Sequence, residues 1–321
     1  MFEIIREIKE KKHQEINGEV FMVLEKHFLD AKNGDKYIGL KLKDKSGIIE
    51  AKIWKNLYHL HENFKEGDFV KLKAKTNYYK DNWQLIIEDI QKVEEDESLK
   101  EEFLPKTKKD IEILSKELFA IINGIQNQGV KKLLLNIFGD DEFFSKFKKA
   151  PAAKSMHHAY IGGLIEHTVS VAKISKEVSK FYMPIDVDIL VAGALLHDIG
   201  KVYEIDASTF NYTDEGRLIG HIVIGYNLVK EKLKIIKLPF EQEVQILHCI
   251  LSHHGEYEYG SPKIPKTKEA LLLHLIDTMD SKMEPLQNLQ TNETNWTESI
   301  KILGRSFFVA KNNKTEELTL F

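Results

Sequence analysis

From Asp188 to Gly200 the chain reads DILVAGALLHDIG, with apolar side chains on nearly every side of any helix it forms. A helix apolar all round must be enclosed by other elements, so this stretch predicts a buried central helix in an all-α domain. Its wholly apolar run, Ile189 to Leu196, is far too short to cross a bilayer. The helix ends on His197 and Asp198. A buried carboxylate there is expensive unless it is paired or bound to a metal ion, so a ligand role for Asp198 is an expectation of the local sequence alone.

Other residues repeat the pattern. His167 lies on an apolar stripe with Leu164, Val171, Ile174 and Val178, and His253 follows Ile246 and Ile250 at helical spacing. Asp277 follows Leu271, Leu272 and Leu275, while His221 stands behind Gly220 where a helix begins. Taken singly, each has an ordinary alternative as a satisfied core histidine, a loop histidine or a hydrogen-bonded structural carboxylate. The ordered set His167, His197-Asp198, His221, His253-His254, Asp277 outweighs those alternatives. Asp280, Lys282 and Arg305 read as surface charges.

The first part of the chain has a different period. Between Gly18 and about Val93, short alternating stretches are separated by turn signals at Asn33-Gly34-Asp35, Lys45-Ser46-Gly47, Glu66-Gly67-Asp68 and Lys80-Asp81-Asn82. Ile38, Leu40 and Leu42 share one face, as do Val70, Leu72 and Ala74, which sends Lys41, Lys43, Lys71, Lys73 and Lys75 to the other. The expected architecture is α+β and multidomain: an all-β domain over residues 1–93, a charged linker over 94–110 containing Pro105, and an all-α domain over 111–321. The polar stretch 284–321 has no clear period. The net charge of −4 excludes a wholesale basic nucleic-acid binder, so a polyanion site must be a local patch. The start lacks a signal-peptide core and the single cysteine, Cys249, excludes an internal disulfide framework; a cytoplasmic protein is expected, with Cys249 as a buried apolar residue.

The order H…HD…H…HH…D resembles the HD metallophosphohydrolase superfamily. The surrounding residues sharpen the likeness: Ala150-Pro-Ala-Ala-Lys154, the stretch from His157-His158 through Gly162-Gly163 to His167-Thr168, Leu196-His-Asp-Ile-Gly-Lys201, and His253-His-Gly-Glu-Tyr-Glu-Tyr-Gly-Ser-Pro262. These are similar to the YhaM family of bacterial exoribonucleases, which join an OB-fold to an HD domain and degrade RNA from the 3′ end. Tyr259 stands where that family usually has Phe. The resemblance implies two divalent ions, one held by His167, His197, Asp198 and Asp277, with Asp198 bridging to a second held by His221 and His253 or His254. Imidazole with carboxylate suits manganese, iron, cobalt or nickel better than magnesium, and manganese is the expected ion. The implied reaction is hydrolysis by in-line attack on a phosphodiester, releasing nucleoside 5′-monophosphates. Asp198 and Lys201 are the expected catalytic residues: Lys201, four residues after His197, would steady a phosphate oxygen. His157 and His158 would approach the substrate phosphate or fix the turn before Gly162.

In the β half, Lys36–Leu42, Asp44–Gly47 and Ile48–Trp54 resemble the OB-fold of tRNA-anticodon-binding proteins. Such folds bind single strands by stacking bases on aromatics beside cations. Tyr37, Lys41, Lys43, Lys52 and Trp54 are the expected contacts. The expected partner is single-stranded RNA, with single-stranded DNA as an alternative, no membrane, and a homo-oligomer allowed. Residues 1–95 carry as many acids as bases, so these lysines have an ordinary reading as a solvated face. Two other functions fit the sequence: an HD phosphohydrolase acting on small or cyclic nucleotides, which has no need of an OB domain, and a non-catalytic RNA-binding or assembly protein, which has no need of a full ligand set.

Overall fold

The computed structural model describes residues 4–11, 15–31, 34–79, 82–94, 103–154, 160–182, 184–208, 210–287, 289, 295–300 and 303–310. The chain divides into two compact units, Met1–Pro105 and Lys106–Phe321. No helix among the described residues is long and apolar enough to cross a membrane.

The first unit is a closed five-stranded barrel in the order β1-β2-β3-β5-β4, built from β1 (Glu15–Asp30), β2 (Lys36–Asp44), β3 (Gly47–Ile53), β4 (Phe69–Tyr79) and β5 (Asn82–Lys92). Closure depends on the long β1, whose first half pairs with β4 and whose second half pairs with β2. Register shifts between Asn17 and Glu19 and between Val23 and Glu25 let that strand bend around the barrel. All neighbours are antiparallel except β3 and β5, which pair in parallel through Glu50–Gln84, Ala51–Leu85 and Lys52–Ile86. The alternation expected from sequence is the packing observed: Ile38, Leu40, Leu42, Ile49, Ala51, Ile53, Val70, Leu72 and Ala74 fill the interior. Helix α1 (Ile4–Lys11) adds Ile5 and Ile8 to that core, and the Ile5 amide donates to the buried Asp44 carboxylate at 2.8 Å. Asp44 also accepts from the Ser46 and Gly47 amides, which fixes the β2–β3 turn.

Two residues of the stretch read as a linker are packed. Phe103 is fully buried with its ring centroid 5.1 Å from that of Phe69, and Thr107 donates to Glu166 in the second unit's own core.

The second unit is helical: α2 (Ile111–Gly124), α3 (Gln128–Phe138), α4 (Asp141–Lys149), α5 (Gly163–Val178), α6 (Val187–Leu196), α7 (Lys201–Glu204), α8 (Asp214–Leu218), α9 (His221–Ile235), α10 (Phe240–Ser252) and α11 (Lys268–Met283). Asp186 caps α6 by accepting from the Ile189 amide at 3.1 Å. Every residue of α6 from Ile189 to Leu196 is buried, because α3, α5, α10 and α11 all pack on it. Each fully enclosed Leu, Ile or Val there contributes about 1.5–3 kcal/mol by leaving water. Cys249 is buried in the same core, and burial pushes its thiol up to about 12.

The central helix is shorter than its sequence pattern. It stops at Leu196, and His197–Gly200 form a turn that leads into α7. Gly200 gives the reason: a β-carbon at that position would lie 2.0 Å from the His221 carbonyl oxygen and 2.6 Å from the Gly225 amide nitrogen. The chain must turn there to bring the start of α9 against the His-Asp doublet.

Candidate metal centre and nucleic-acid face

Five segments converge around that turn. His167 comes from the buried face of α5, His197 and Asp198 from the turn after α6, His221 from the first residue of α9, His253 and His254 from the residues just after α10, and Asp277 from α11. Asp198 is 3% exposed, His197 0% and His253 1%.

The two oxygens of Asp198 face different histidines. Oδ2 lies 3.3 Å from His197 Nε2 and 3.6 Å from His167 Nε2. Oδ1 lies 3.5 Å from both His221 Nε2 and His253 Nε2. Asp277 Oδ1 closes the first group, 3.2 Å from His167 Nε2 and 3.8 Å from His197 Nε2. His254 closes the second, its ring centroid 4.5 Å from that of His253 and 5.2 Å from that of His221. Among the described residues, two sets therefore have ligand atoms close enough to hold a cation: His167, His197 and Asp198, and His221, His253 and His254.

Each imidazole turns Nδ1 outward to a hydrogen-bond acceptor. His197 Nδ1 meets the Ala194 carbonyl at 2.9 Å, His253 Nδ1 the Ile250 carbonyl at 2.8 Å, and His254 Nδ1 the Tyr259 carbonyl at 2.9 Å. His167 Nδ1 meets Asp280 at 2.8 Å and His221 Nδ1 meets Glu204 at 2.9 Å. With Nδ1–H donating outward, the Nε2 lone pairs point inward, the arrangement by which a hydrogen-bonded second partner orients a metal-binding histidine. Among the described residues, Asp198 Oδ1, His221 Nε2 and His253 Nε2 are buried and meet no hydrogen-bond partner. Three converging acceptors of this kind are costly in a bare protein core and are satisfied by a divalent cation. The donor set thus fits a divalent metal ion.

The electrostatics agree. Burial opposes charge on Asp198, yet Lys201 and His197 hold its carboxyl well below the usual range. Burial also opposes ionisation of Asp277, and His167 and His197 overcome it. Burial alone would keep His167 neutral, but Asp277 and Asp280 push it up to about 10. Burial keeps His253 and His254 below their ordinary values, which leaves their lone pairs available. Lys201 Nζ donates to Asp198 Oδ2 at 2.7 Å, so its ammonium is within the cluster and already engaged.

Asp280 corrects the reading of it as a surface charge. It is 8% exposed and accepts from His167 Nδ1 and from Ser170 Oγ. Its signal was present in the sequence, since it lies three residues after Asp277 on one helical face. Glu204 had no such signal. It accepts from both the His221 ring and the His221 backbone amide, at 2.9 Å each, from a helix that precedes His221 by a whole loop. His274 also escaped notice: its Nδ1 meets the His253 carbonyl at 2.7 Å, and its ring fills the space where a β-carbon on Gly255 would fall, 2.2 Å away. His157 and His158 lie outside the described residues.

On the barrel, Tyr37 and Trp54 lie with ring centroids 5.2 Å apart, and Lys52 Nζ is 5.9 Å from the Tyr37 ring and 5.5 Å from that of Tyr79. Trp54 is 38% exposed and Tyr79 53%. Tyr79, not singled out from sequence, joins this group through the end of β4. Lys41 is held by Glu25 at 2.9 Å, a pairing set by the β1–β2 register. Lys43 is half-buried, and burial lowers its pKa. Tyr37, Trp54 and Lys52 thus form one outward group, with Lys41 and Lys43 more constrained.

Comparison with known proteins agrees with both units. Residues 164–282 match the family model described as HD domain, and residues 15–93 match that described as OB-fold nucleic acid binding domain. Among solved structures, the chain is similar to the mitochondrial single-stranded DNA binding protein Rim1 of S. cerevisiae, with 14% identity over 26% of this chain and 96% of that one, and a TM-score of 0.23. It is similar to the second OB-fold domain of replication protein A from Methanococcus maripaludis, with 24% identity over 26% and 84%, and a TM-score of 0.20. It also matches a replication protein A heterotrimer bound to ssDNA at 12% identity and a TM-score of 0.21, covering 26% of this chain and spanning 60% of that chain. The chain therefore carries an N-terminal OB-fold nucleic-acid-binding domain followed by an HD domain, an architecture that indicates a metal-dependent phosphohydrolase acting on nucleic acid.

Proposed function

We propose that the protein is a 3′-5′ exoribonuclease that hydrolyses single-stranded RNA to nucleoside 5′-monophosphates, with a manganese-loaded centre in the HD domain and an RNA-holding face on the barrel. The observation that carries the hydrolytic half is Asp198, whose two oxygens address two separate histidine groups, with three inward polar atoms that meet no partner among the described residues. His167, His197, Asp198 and Asp277 are the candidate ligands of one ion; His221, His253 and His254 are those of the other, with Asp198 shared. Held by these residues, two divalent ions would supply a water acidic enough to attack at neutral pH and positive charge for the phosphoryl oxygens.

The chain's own residues do the rest. Glu204, Asp280 and the Ala194, Ile250 and Tyr259 carbonyls hold the imidazole rings in the tautomer that offers Nε2. Lys201 steadies the charge on Asp198 and stands three residues away to approach a phosphate oxygen of the substrate. The bond broken joins phosphorus to the ribose 3′-oxygen of the preceding nucleotide. Tyr37 and Trp54 stack on bases, and Lys52 meets phosphate, so that a strand is retained between cuts. Exoribonuclease polarity and the choice of RNA rest on the resemblance of the sequence motifs.

The reading is tested by incubating metal-depleted protein with 5′-labelled single-stranded RNA, a matched hairpin, and a panel of nucleoside triphosphates and cyclic nucleotides, each with and without manganese. A one-nucleotide ladder on the single strand, stalling at the hairpin and little turnover of the small nucleotides are expected. Turnover of the small nucleotides alone would replace this reading with that of a pocket phosphohydrolase.

A further inference from the structure

The two halves of the centre are built from different charges. The half formed by His167, His197 and Asp277 carries its own carboxylate, shares Oδ2 of Asp198, and has a further carboxylate, Asp280, behind His167. The other half offers three imidazoles and shares Oδ1 of Asp198. Behind those imidazoles stand two backbone carbonyls, from Ile250 and Tyr259, and one carboxylate, Glu204. Neutral imidazoles do not offset the charge of a dication, whereas carboxylates do, and a cation already on one side of Asp198 opposes a second on the other. The second half is also the more open: His254 is partly exposed, and the Tyr259 carbonyl that orients it belongs to a short helical turn, Tyr257–Tyr259, whose two tyrosines are exposed.

We infer that the centre fills in order: the His167–His197–Asp277 half binds a divalent ion tightly, and the His221–His253–His254 half binds one last and weakly, with Glu204 as the positioning residue that sets its affinity. The protein's activity then follows the free concentration of divalent metal through the second half alone. This rests on the reading of the HD domain as a metal centre.

Glu204 is suited to that part. It takes the His221 ring and amide together, so it fixes both the ring's rotation and the first turn of α9. Outer partners of this kind change metal affinity by about 10–100-fold when removed.

The test is a titration of the metal-free full-length protein with manganese, reading free ion by electron paramagnetic resonance and heat by calorimetry, with no substrate present. Two sites per chain are expected, their dissociation constants at least about tenfold apart. Glu204→Gln and His254→Ala should weaken the weaker site by about 10–100-fold and leave the tighter one in place, and Asp280→Asn should do the reverse. Far-ultraviolet circular dichroism on each variant checks folding, and His254, being partly exposed, gives a second route should Glu204→Gln disturb α9. Two equal sites, or an equal loss at both sites in a folded His254→Ala protein, would overturn the order of filling while leaving the metal centre standing. No manganese bound at either site would remove the metal-centre reading itself.

Discussion

Replacing Gly200 by alanine isolates the geometry that builds the centre. Gly200 has φ −68°, an ordinary right-handed value, so alanine meets no backbone strain there. At a site with space, such a change stabilises a protein by about 0.4–1 kcal/mol through the unfolded chain. Here the added β-carbon would lie 2.0 Å from the His221 carbonyl oxygen and 2.6 Å from the Gly225 amide nitrogen. Carbon-oxygen contacts shorter than about 3.3 Å are not tolerated, so the start of α9 must retreat by roughly 1.3 Å. Both obstacles are backbone, and no side-chain rotation relieves them. The net effect should be a loss of about 1–3 kcal/mol, the cost of overpacking. His221 moves with its helix, away from Asp198 and Glu204, and a displacement of this size costs about 10²-fold in rate. Chemical denaturation would read the stability, RNA hydrolysis the rate, and a manganese titration the loss of one site. A Gly200→Ala protein as stable and as active as the parent would show that α9 does not owe its place to this contact.

Three further outcomes follow from particular side chains. Asp68 is 2% exposed in its side chain and accepts from Lys92 and the Lys65 amide at 2.9 Å each. These partners outweigh burial and lower its pKa, so its contribution is present above the unfolded carboxyl value near 3.9 and fades as pH falls through the lower folded value. Asp68→Asn should therefore cost about 1–3 kcal/mol at pH 7 and progressively less as pH falls through that lower folded value, read by denaturant titration followed by Trp54 and Trp83 fluorescence. Tyr37→Ala with Trp54→Ala should weaken binding of a long single strand far more than of a dinucleotide, because only the longer ligand reaches both surfaces; equal losses in a filter-binding assay would count against a stacking role. Lys52→Gln should lower the slope of log affinity against log salt by about 0.7, and Lys41→Gln by less, since Glu25 already neutralises Lys41.

Much of this molecule was legible in one dimension because its two halves obey two periods. Alternation at Ile38–Leu42 and Val70–Ala74 separates barrel interior from surface, and a helix apolar on all sides has one place to be, under its neighbours. The structure brings the ordered histidines and aspartates together, and Gly220 before His221 marks the start of α9. What escaped depends on distance along the chain. Glu204 is one acid among many until the Gly200 turn folds it back on His221. Lys41 looks like a free cation until the β1–β2 register puts Glu25 beside it. Phe103 sits in charged surroundings, and only packing shows that it is buried.

Among the described residues, Asp198 is the side chain whose carboxylate faces both histidine groups. Metal-loaded wild-type protein and Asp198→Ala would be compared for bound manganese by mass spectrometry of the exchanged protein and for hydrolysis of single-stranded RNA in the same preparation. Two ions per chain with active cleavage are expected for the wild type, and for the folded variant fewer ions and a loss of at least about 10³-fold in rate. An Asp198→Ala protein that keeps two ions and cuts RNA at a comparable rate would contradict the central claim.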